Sequence, residues 1–594
     1  MNNIAIENVI VSSKSDDTFI DPNAILTRFD KNSLRGVNCL LINMPIREQA
    51  RPNNAPLGLC LLAAQLQRYG SHVEILDLNA YRIRDSVAQE RELEYGRVLT
   101  ESEARELIAK YVVPTQFHLI ATSGLITTLK WQKIAAKILK DLSPKSFLIS
   151  GGGLATEFRD DLINWIPELN GIAHSEGDSI IVKIAADARE LYGTNSQAQA
   201  HSKLLKTVWP SRVFTRKGRS YLSYDGGRPK NLDEIPLPAW ELLEKDRFGK
   251  NILSEYLDAP IWGKSAKNSS ATNFEMKKSL NTVSSRGCPF ACKFCFRGAQ
   301  GERNYGIRSA ENLFKEIKLY QQKYDIDFLG YVDDNFAVSR KRILEMEEIF
   351  REFSTCNQVT WGTHCRLDET ADIQKVQGEK IHFHEPLRVK SMHAAGCRYI
   401  GFGAESASPR MLKRMGKGGS MLAHGTRKVF GYEVPLTMMY GIINTINAQI
   451  HANCTWIMGY PGETLEDLKA TVAFIKWQEE VMAGSYSLGS KERALAEDAI
   501  NKNMFVATAY PGTEMFSDPK VVNVLKSGFN IKFNGKSVVV DENLEKYVEQ
   551  LNDATDLIYT PSGKLVNYSE LSAELFLHIR DILRTGDIYD ILDL

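Results

Sequence analysis

The chain has no excess of either charge: among its 594 residues, 73 Lys and Arg face 73 Asp and Glu. No long-range field therefore marks it for nucleic acid or for an anionic membrane surface. No apolar run reaches the length of a bilayer span, and the N-terminal MNNIAIENVIVSSKSDD lacks the basic-then-apolar order of a secretory leader. Repeats of solenoid period and low-complexity tracts are also missing. Cysteine is scarce, nine in all, with only three clustered. That points away from a disulfide-stapled secreted scaffold and towards a reducing, cytoplasmic setting. The isolated cysteines (Cys39, Cys60, Cys356, Cys365, Cys397 and Cys454) lie in apolar runs or near strand ends and are expected to be small core side chains.

What is present concentrates in one stretch. Ser284 to Arg297 reads SSRGCPFACKFCFR and sets Cys288, Cys292 and Cys295 in the spacing C-x3-C-x2-C, just after the β-prone run Leu280 to Ser284. Three thiols this close, in a chain of this kind, point to a metal or a cluster rather than to disulfides. The number three is informative. A structural zinc site takes four protein ligands, and a fully ligated 4Fe–4S cluster takes four cysteines. With three, one iron of a cubane keeps an open position for a substrate or cofactor; a zinc knuckle or a packed loop is the plainer alternative. Gly287 and Pro289 suit a loop wrapped closely around such a group, and Phe294 is placed to cover one side.

Ahead of this stretch, strand and helix patterns alternate. VNCLLINMP from Val37, HVEILDLN from His72, FHLIATSG from Phe117 and SFLISGGG from Ser146 read as strands, and LGLCLLAAQLQRYG from Leu57 reads as a helix closed by Gly70. Such alternation predicts a parallel sheet with helices on both faces. Ligands on such sheets lie beyond the carboxyl ends of the strands, near the topological switch point. The loops of interest are then Met44 to Pro56, Ser123 to Thr128, Gly151 to Gly153 and Glu176 to Asp178. Gly151, Gly152 and Gly153 let backbone approach a flat ligand, and Ser123, Thr127 and Thr128 offer hydroxyls; a tight turn is the default explanation of a glycine run alone. Residues 190–281 read as a polar, irregular connector, its course fixed by turns at Pro236 and Pro238.

After the cysteine loop the strand–helix unit recurs. A helix from Ala310 to Tyr324 is followed by DFLGYVDDNF, VTWGTHCRLD, CRYIGFGAES, NCTWIMGYPGET and FVATAYPGT, each read as a strand with its turn. This fits a partial (β/α) barrel whose site lies at the carboxyl ends of its strands. Asp333, Arg366, Glu405 and Glu463 fall at such ends. One strand-end acid is usually a cap or turn residue, whereas several converging beside a cluster loop make a pocket. The fold class is therefore α/β: a flavodoxin-like, Rossmann-type N-terminal domain, a partial (β/α)6 barrel of TIM type and a C-terminal helical cap. The expected boundaries are an extension at 1–34, the first domain at 35–195, a connector at 196–280, the barrel at 281–515 and the cap at 516–594.

The cysteine spacing, with an aromatic residue before the third cysteine, resembles the radical S-adenosylmethionine (SAM) superfamily. From about Val37 to Thr513 the chain resembles its B12-dependent group, which includes methyltransferases and the anaerobic Mg-protoporphyrin monomethyl ester cyclase. The matching segments are the P-L-G at Pro56 to Gly58, the Asp77 strand end, the ATSG loop, the GGG turn, the SEGD turn with Glu176 and Gly177, then GFGAES, GYPGET and YPGT. The resemblance implies a 4Fe–4S cluster on Cys288, Cys292 and Cys295, with SAM and cobalamin as further cofactors. By it, Glu405 and Arg366 hold the amino acid or ribose of SAM, the turn from Gly459 to Glu463 lines the adenine, and Phe294 and Asp333 belong to the same cofactor wall. One departure matters: the first strand is not followed by D-x-H-x-x-G, so no histidine of that loop can ligate cobalt from below. Arg47, Arg51, Asn53 or Asn54 stand there instead.

The implied activity is reductive cleavage of SAM to a 5′-deoxyadenosyl radical and methylation of an unactivated carbon (or phosphorus) through methylcobalamin. Oxidative cyclisation or ring rearrangement is the alternative with the same cofactors, and a non-catalytic cobalamin-binding sensor is the alternative of another class. Tyr510, in YPGT, and the helical tail are expected to help close the substrate cavity. The partners implied are a small-molecule, lipid or peptide substrate and an electron donor such as flavodoxin or ferredoxin. Two stretches depart from the family pattern. GEKIHFHEPLRVK from Gly378 carries His382, His384 and Glu385, which look superficially like metal ligands but read as surface without a third donor in view. Gly416 to Ile450, rich in aromatics and methionine, reads as core packing, with a lid over an apolar substrate as the alternative.

Overall fold

The run NCLLIN has no polar alternation, which suits a strand covered on both faces. In the computed structural model it forms β1 (Asn38–Asn43), one strand of a seven-stranded sheet. The structure describes residues 22–46, 54–193, 211–258, 276–296, 305–351, 359–498, 500–535, 537–551 and 557–594. The sheet continues with β2 (His72–Asp77), β3 (Leu119–Ser123), β4 (Phe147–Gly151), β5 (Gly171–His174), β6 (Ser211–Arg216) and β7 (Arg219–Asp225), in the order β2-β1-β3-β4-β5-β7-β6. The five β1–β5 strands run parallel in the flavodoxin-like order, and the order reverses at β1 and β3. Helices α1 (Leu57–Arg68), α2 (Glu101–Val112), α3 (Leu129–Leu142), α4 (Gly152–Phe158) and α5 (Ile180–Leu191) make the connections. The N-terminus of α2 is fixed by a capping box: Thr100 accepts from the Glu103 backbone while Glu103 accepts from Thr100.

The stretch read as an irregular connector contributes regular structure. β7 adds to β5 in parallel and β6 turns back antiparallel to it, so a hairpin extends the first sheet. Its signal was weak because Arg212, Arg216 and Arg219 dominate the composition, yet Val213, Tyr221, Leu222 and Tyr224 supply an apolar set. The Lys217–Gly218 turn, with φ 47° and 75°, has the left-handed geometry of a tight hairpin. Further on, Trp240 and Tyr256 are buried, and the Tyr256 hydroxyl donates to Asp77 at the end of β2.

The second sheet has six parallel strands: β8 (Ser279–Thr282), β9 (Phe328–Tyr331), β10 (Thr360–Cys365), β11 (Cys397–Glu405), β12 (His451–Met458) and β13 (Met504–Val506). Each pairs with the next in sequence, the order of an open (β/α)6 barrel. Helices α6 (Ala310–Tyr324), α7 (Arg340–Ile349), α8 (Arg388–Ala394), α9 (Leu436–Asn447) and α10 (Leu465–Ala483) cross between them. The stretch from Gly416 is thus largely the β11-to-β12 crossover. Val434, Met438 and Ile442 are buried, as the core reading expects, while Phe430 at the hairpin turn is exposed. The other departure is a surface hairpin, Ile373–Gln377 with Lys380–Phe383, on which His382 and His384 are exposed.

The C-terminal segment touches both sheets. Helices α11 (Pro519–Phe529) and α12 (Glu542–Val548) share a core with the α2, α3 and α4 side of the first sheet. Lys133 of α3 pairs with Glu545 and Glu549, at 2.5 and 2.6 Å. Helix α13 (Ala573–Thr585) instead packs on the barrel, where Phe576 sits against Gly459 so closely that a Cβ there would lie 2.7 Å from its ring. Among the described residues no helix is long and apolar enough to cross a membrane.

Candidate active site

The cysteine loop leaves the carboxyl end of β8 and is held from beneath by Asp333. That carboxylate accepts from the Ser284 backbone at 2.6 Å, the Ser285 hydroxyl at 2.7 Å and the Ser284 hydroxyl. Asp333 therefore shapes the loop, its oxygens engaged by serines. Arg342 donates to the Ser284 carbonyl at 2.8 Å. Gly287 takes φ 78°, open to glycine at little cost, and turns the chain into Cys288. Further along, Lys293 is pinned through its backbone to Met415 and Met515, at 2.9 and 2.8 Å.

Cys288, Cys292 and Cys295 come together on this loop. Burial raises the thiol of Cys288, then Cys292 raises it further. Cys295 keeps open surface but is walled in by protein on most sides, which pushes it up to about 12, again with help from Cys292 and Cys288. The thiols thus feel one another's charge, and three thiolates here need a compensating cation. Three cysteine thiols that feel one another's charge suit a 4Fe–4S cluster with one iron left open, since a structural zinc takes four protein ligands.

Arg366 and Lys417 bring positive charge to this loop. Arg366 follows β10, stacks its guanidinium 3.9 Å from the Phe290 ring centroid, and donates to the Cys292 sulfur at 3.6 Å and to the Ser420 hydroxyl at 3.0 Å. Burial works against its charge, but Asp368 and Cys292 outweigh that. Lys417 lies over the Phe294 ring and 3.4 Å from Glu405, whose backbone takes φ 66° at a bulge ending β11. Phe294 also meets Tyr460 edge-on. Glu463 folds back on its own turn, accepting from the Gly459 backbone at 2.6 Å, and burial raises it to about 8. The Gly459–Glu463 turn is also tied to the C-terminal segment: Gly462 donates to the Tyr568 carbonyl at 3.1 Å and the Glu463 carbonyl accepts from Glu570 at 2.8 Å. Tyr510 packs at the edge of the core that takes in Phe294, and its carbonyl closes the YPGT turn onto Thr513.

At the carboxyl end of the first sheet lies a cavity of about 330 Å³. Leu57, Leu61 and Leu62 of α1 and Ile180, Ile181 and Ile184 of α5 wall it, and Ser123, Gly151, Gly152, Glu176 and Gly177 stand at the strand ends. The glycine that geometry requires is Gly152. It has φ 80°, and a Cβ would come within 2.8 Å of the Gly124 carbonyl and the Ser123 hydroxyl. Thr127, Thr128, Gly153 and Asn54 do not line the cavity. Thr128 is spent locally, donating to the Leu125 carbonyl and accepting from Gln132. Asn53, with Arg47, Arg51 and Cys356, lies outside the described residues.

The cavity also touches Val283 and Arg286 of the cysteine loop. Arg286 bridges Glu176 at 2.8 Å and Asp178 at 2.6 Å, and Arg228 holds Glu176 from the other side. Arg286, Lys417 and Phe290 carry no signal in spacing or composition, whereas Asp178 lies in the Glu176–Asp178 turn that the strand pattern singles out. The position of Arg286, two residues before Cys288, is the only hint the sequence holds of its role.

Residues 282–475 match the Radical SAM superfamily, so the chain carries a radical SAM domain, with the iron–sulfur cluster and SAM that such a domain implies. The chain is an enzyme of that kind, and its curated homologues are named as methyltransferases. An uncharacterized methyltransferase, PH0819, of Pyrococcus horikoshii is 23% identical over 79% of this chain and 79% of its own length. The cytidylyl-2-hydroxyethylphosphonate methyltransferase of Streptomyces wedmorensis is also 23% identical, over 70% of this chain and 72% of its own. The fold matches that of the cobalamin-dependent SAM radical enzyme OxsB, solved with aqua-cobalamin and SAM, at TM-score 0.54 and 16% identity. That match covers 86% of this chain and 64% of OxsB, so the present chain spans a little under two thirds of its length. The radical SAM methyltransferase TsrM from Kitasatospora setae, with tryptophan and a SAM analogue bound, matches at TM-score 0.54 and 15% identity over 93% and 89% of the two chains.

Proposed function

We propose that this enzyme is a cobalamin-dependent radical SAM methyltransferase acting on an unactivated carbon or phosphorus of a small molecule. One observation carries the reading: the cavity at the end of the first sheet opens onto the cysteine loop at Val283 and Arg286, two residues before Cys288. A flat cofactor at the strand ends and a cluster on the loop would share one space. The apolar walls suit the aromatic base that ends cobalamin's nucleotide chain, and the strand-end glycines suit a corrin edge. When bound, the cluster supplies an electron to SAM and cobalamin supplies a methyl carrier.

The chain's own residues do the rest. Arg366 opposes the burial that raises the Cys288 thiol, and Arg366 and Glu405 are the groups proposed to hold SAM, with Phe294 covering one side. The Arg286 clasp fixes the separation between the two sheets' strand ends. The proposed electron donor is a flavodoxin or ferredoxin, and the proposed setting is the cytoplasm.

The test is anaerobic reconstitution with iron, sulfide and cobalamin, then mass analysis of SAM products. 5′-Deoxyadenosine together with S-adenosylhomocysteine is expected. 5′-Deoxyadenosine alone would shift the reading to oxidative cyclisation with the same cofactors, and neither product would sink both.

A further inference from the structure

The two faces of the barrel sheet are filled differently. Outward residues Tyr331, Trp361, Phe402, Trp456 and Met458 are buried against the helices. Inward, Val332, His364, Gly403, Thr455, Ile457 and Phe505 all keep open surface. Barrel interiors are ordinarily packed with branched side chains. Here Gly330 pairs with Gly362, and Gly401 and Gly403 follow on the next strand; the rings of Phe328 and His364, rather than side chains of their own, cover Gly362 and Gly401. The floor is closed lower down by Phe328 and Tyr399.

One level of this wall is polar. Registers align His364 with Gly401, and Gly401 with Asn453, across three adjacent strands. The imidazole leans over the glycine: a Cβ on Gly401 would lie 2.8 Å from its Cδ2. Asn453 is 1% exposed and donates to the Tyr399 hydroxyl at 2.9 Å, which fixes the amide, while its Oδ1 has no partner among the described residues. A buried amide oxygen left without a donor costs about 1–3 kcal/mol, so a site that keeps one is built to receive a donor. The level sits two residues below Arg366, which touches Cys292; two residues of strand span roughly 7 Å. Among the described residues registered at this level, His364, Gly401 and Asn453, none is a lysine, an arginine or a carboxylate.

We propose that His364 and Asn453, with Gly401 between them, form the substrate seat of the barrel, taking an uncharged hydroxyl or amide N–H whose hydrogen goes to Asn453 Oδ1. A carboxylate or phosphate group of the substrate stays outside this level. The imidazole serves as a neutral partner, since burial lowers it to about 4. The assignment rests on the methyltransferase reading for what is transferred, but not for the existence of the seat.

Two measurements separate those claims. Diethyl pyrocarbonate, which acylates neutral imidazoles that reagent can reach, is applied to the reconstituted holoenzyme and the peptides are weighed. His364 is expected to be modified despite its depth; modification of exposed His382 with His364 untouched overturns the seat, whatever the reaction. Next, holoenzyme is supplied with methyl-deuterated SAM and the small-molecule fraction of the host cell. In His364→Phe and Asn453→Leu, labelled product per 5′-deoxyadenosine is expected to fall at least about tenfold, the worth of one lost hydrogen bond. Total SAM cleavage should stay within about twofold, and His364→Gln should recover part of the coupling. Unchanged coupling in both variants, or equal loss of cleavage and product, overturns the proposal. Absence of label with the parent enzyme defeats the methyltransferase reading and leaves the acylation result to decide the seat.

Discussion

The two parallel sheets use their carboxyl ends in opposite ways. The first fills both faces and makes its cavity beside the sheet, between α1, α5 and the strand-end loops. The second fills only its outer face and leaves its concave side open. Glycine marks both for the same reason, close approach, but the partners differ. At Gly152 a Cβ would meet the Gly124 carbonyl of a neighbouring loop and the Ser123 hydroxyl, whereas at Gly362 and Gly401 it would meet rings of the barrel itself, Phe328 at 2.7 Å and His364 at 2.8 Å. The first sheet thus uses glycine to bring two loops together, and the second uses it to seat ring side chains across its inner face.

If the sheets hold separate cofactors, losses in one should spare the other. The largest effect is expected from Cys288→Ala, Cys292→Ala or Cys295→Ala: 5′-deoxyadenosine formation and the cluster's visible absorption vanish, while cobalamin retained on a desalting column is unchanged. Loss of cobalamin in these variants would merge the two sites. Arg366→Ala should lower SAM cleavage by about tenfold to a hundredfold, as for groups that orient a cluster's ligands. Arg366→Lys should not restore it, since an ammonium cannot stack flat on Phe290 while reaching Cys292 and Ser420.

Arg286→Met tests what joins the sheets. It leaves Glu176 and Asp178 without their shared partner, and breaking a buried ion pair costs about 3 kcal/mol. A lower denaturant midpoint with an altered slope is the expected signature of partial uncoupling. Gly152→Ala should weaken cobalamin binding by about tenfold, through a strained left-handed residue and a displaced Ser123, with SAM cleavage intact.

The smallest effect concerns Glu463. Burial raises its folded pKa to about 8, above the usual range of a free glutamate. Its contribution to stability is therefore full at low pH and is lost as pH rises towards 8. Glu463→Gln should match the parent near pH 5 and be the more stable near pH 8, read from denaturant midpoints. An unchanged difference across that range would place the carboxylate in a solvated or paired setting.

Much of this was legible in the sequence because strand and cluster signals are local. The C-x3-C-x2-C spacing, the apolar strands from Asn38 to Phe147 and the strand-end turns each lie within a dozen residues. The hairpin at Ser211–Asp225 was hidden by arginines whose partners, Asp160, Asp161 and the Pro167 carbonyl, lie some fifty residues away in the chain. The stretch from Gly416 looked like an insertion because a second hairpin, Thr426–Val429 with Tyr432–Pro435, precedes the crossover helix. Asp333 was read as facing a cofactor; only the fold shows that two serines beside it absorb its charge. The polar level at His364, Gly401 and Asn453 spans three strands far apart in the chain, and no periodicity joins them.

The segment from Met515 onwards grips both sheets: α12 through Lys133, α13 through Phe576 under Gly459. A growing polypeptide that has reached only Thr513 has both strand-end rims but not the brace across them. The two rims should accordingly come into fixed register only once this brace has been made, and truncation ahead of α12 is expected to lower stability and loosen the first sheet against the barrel.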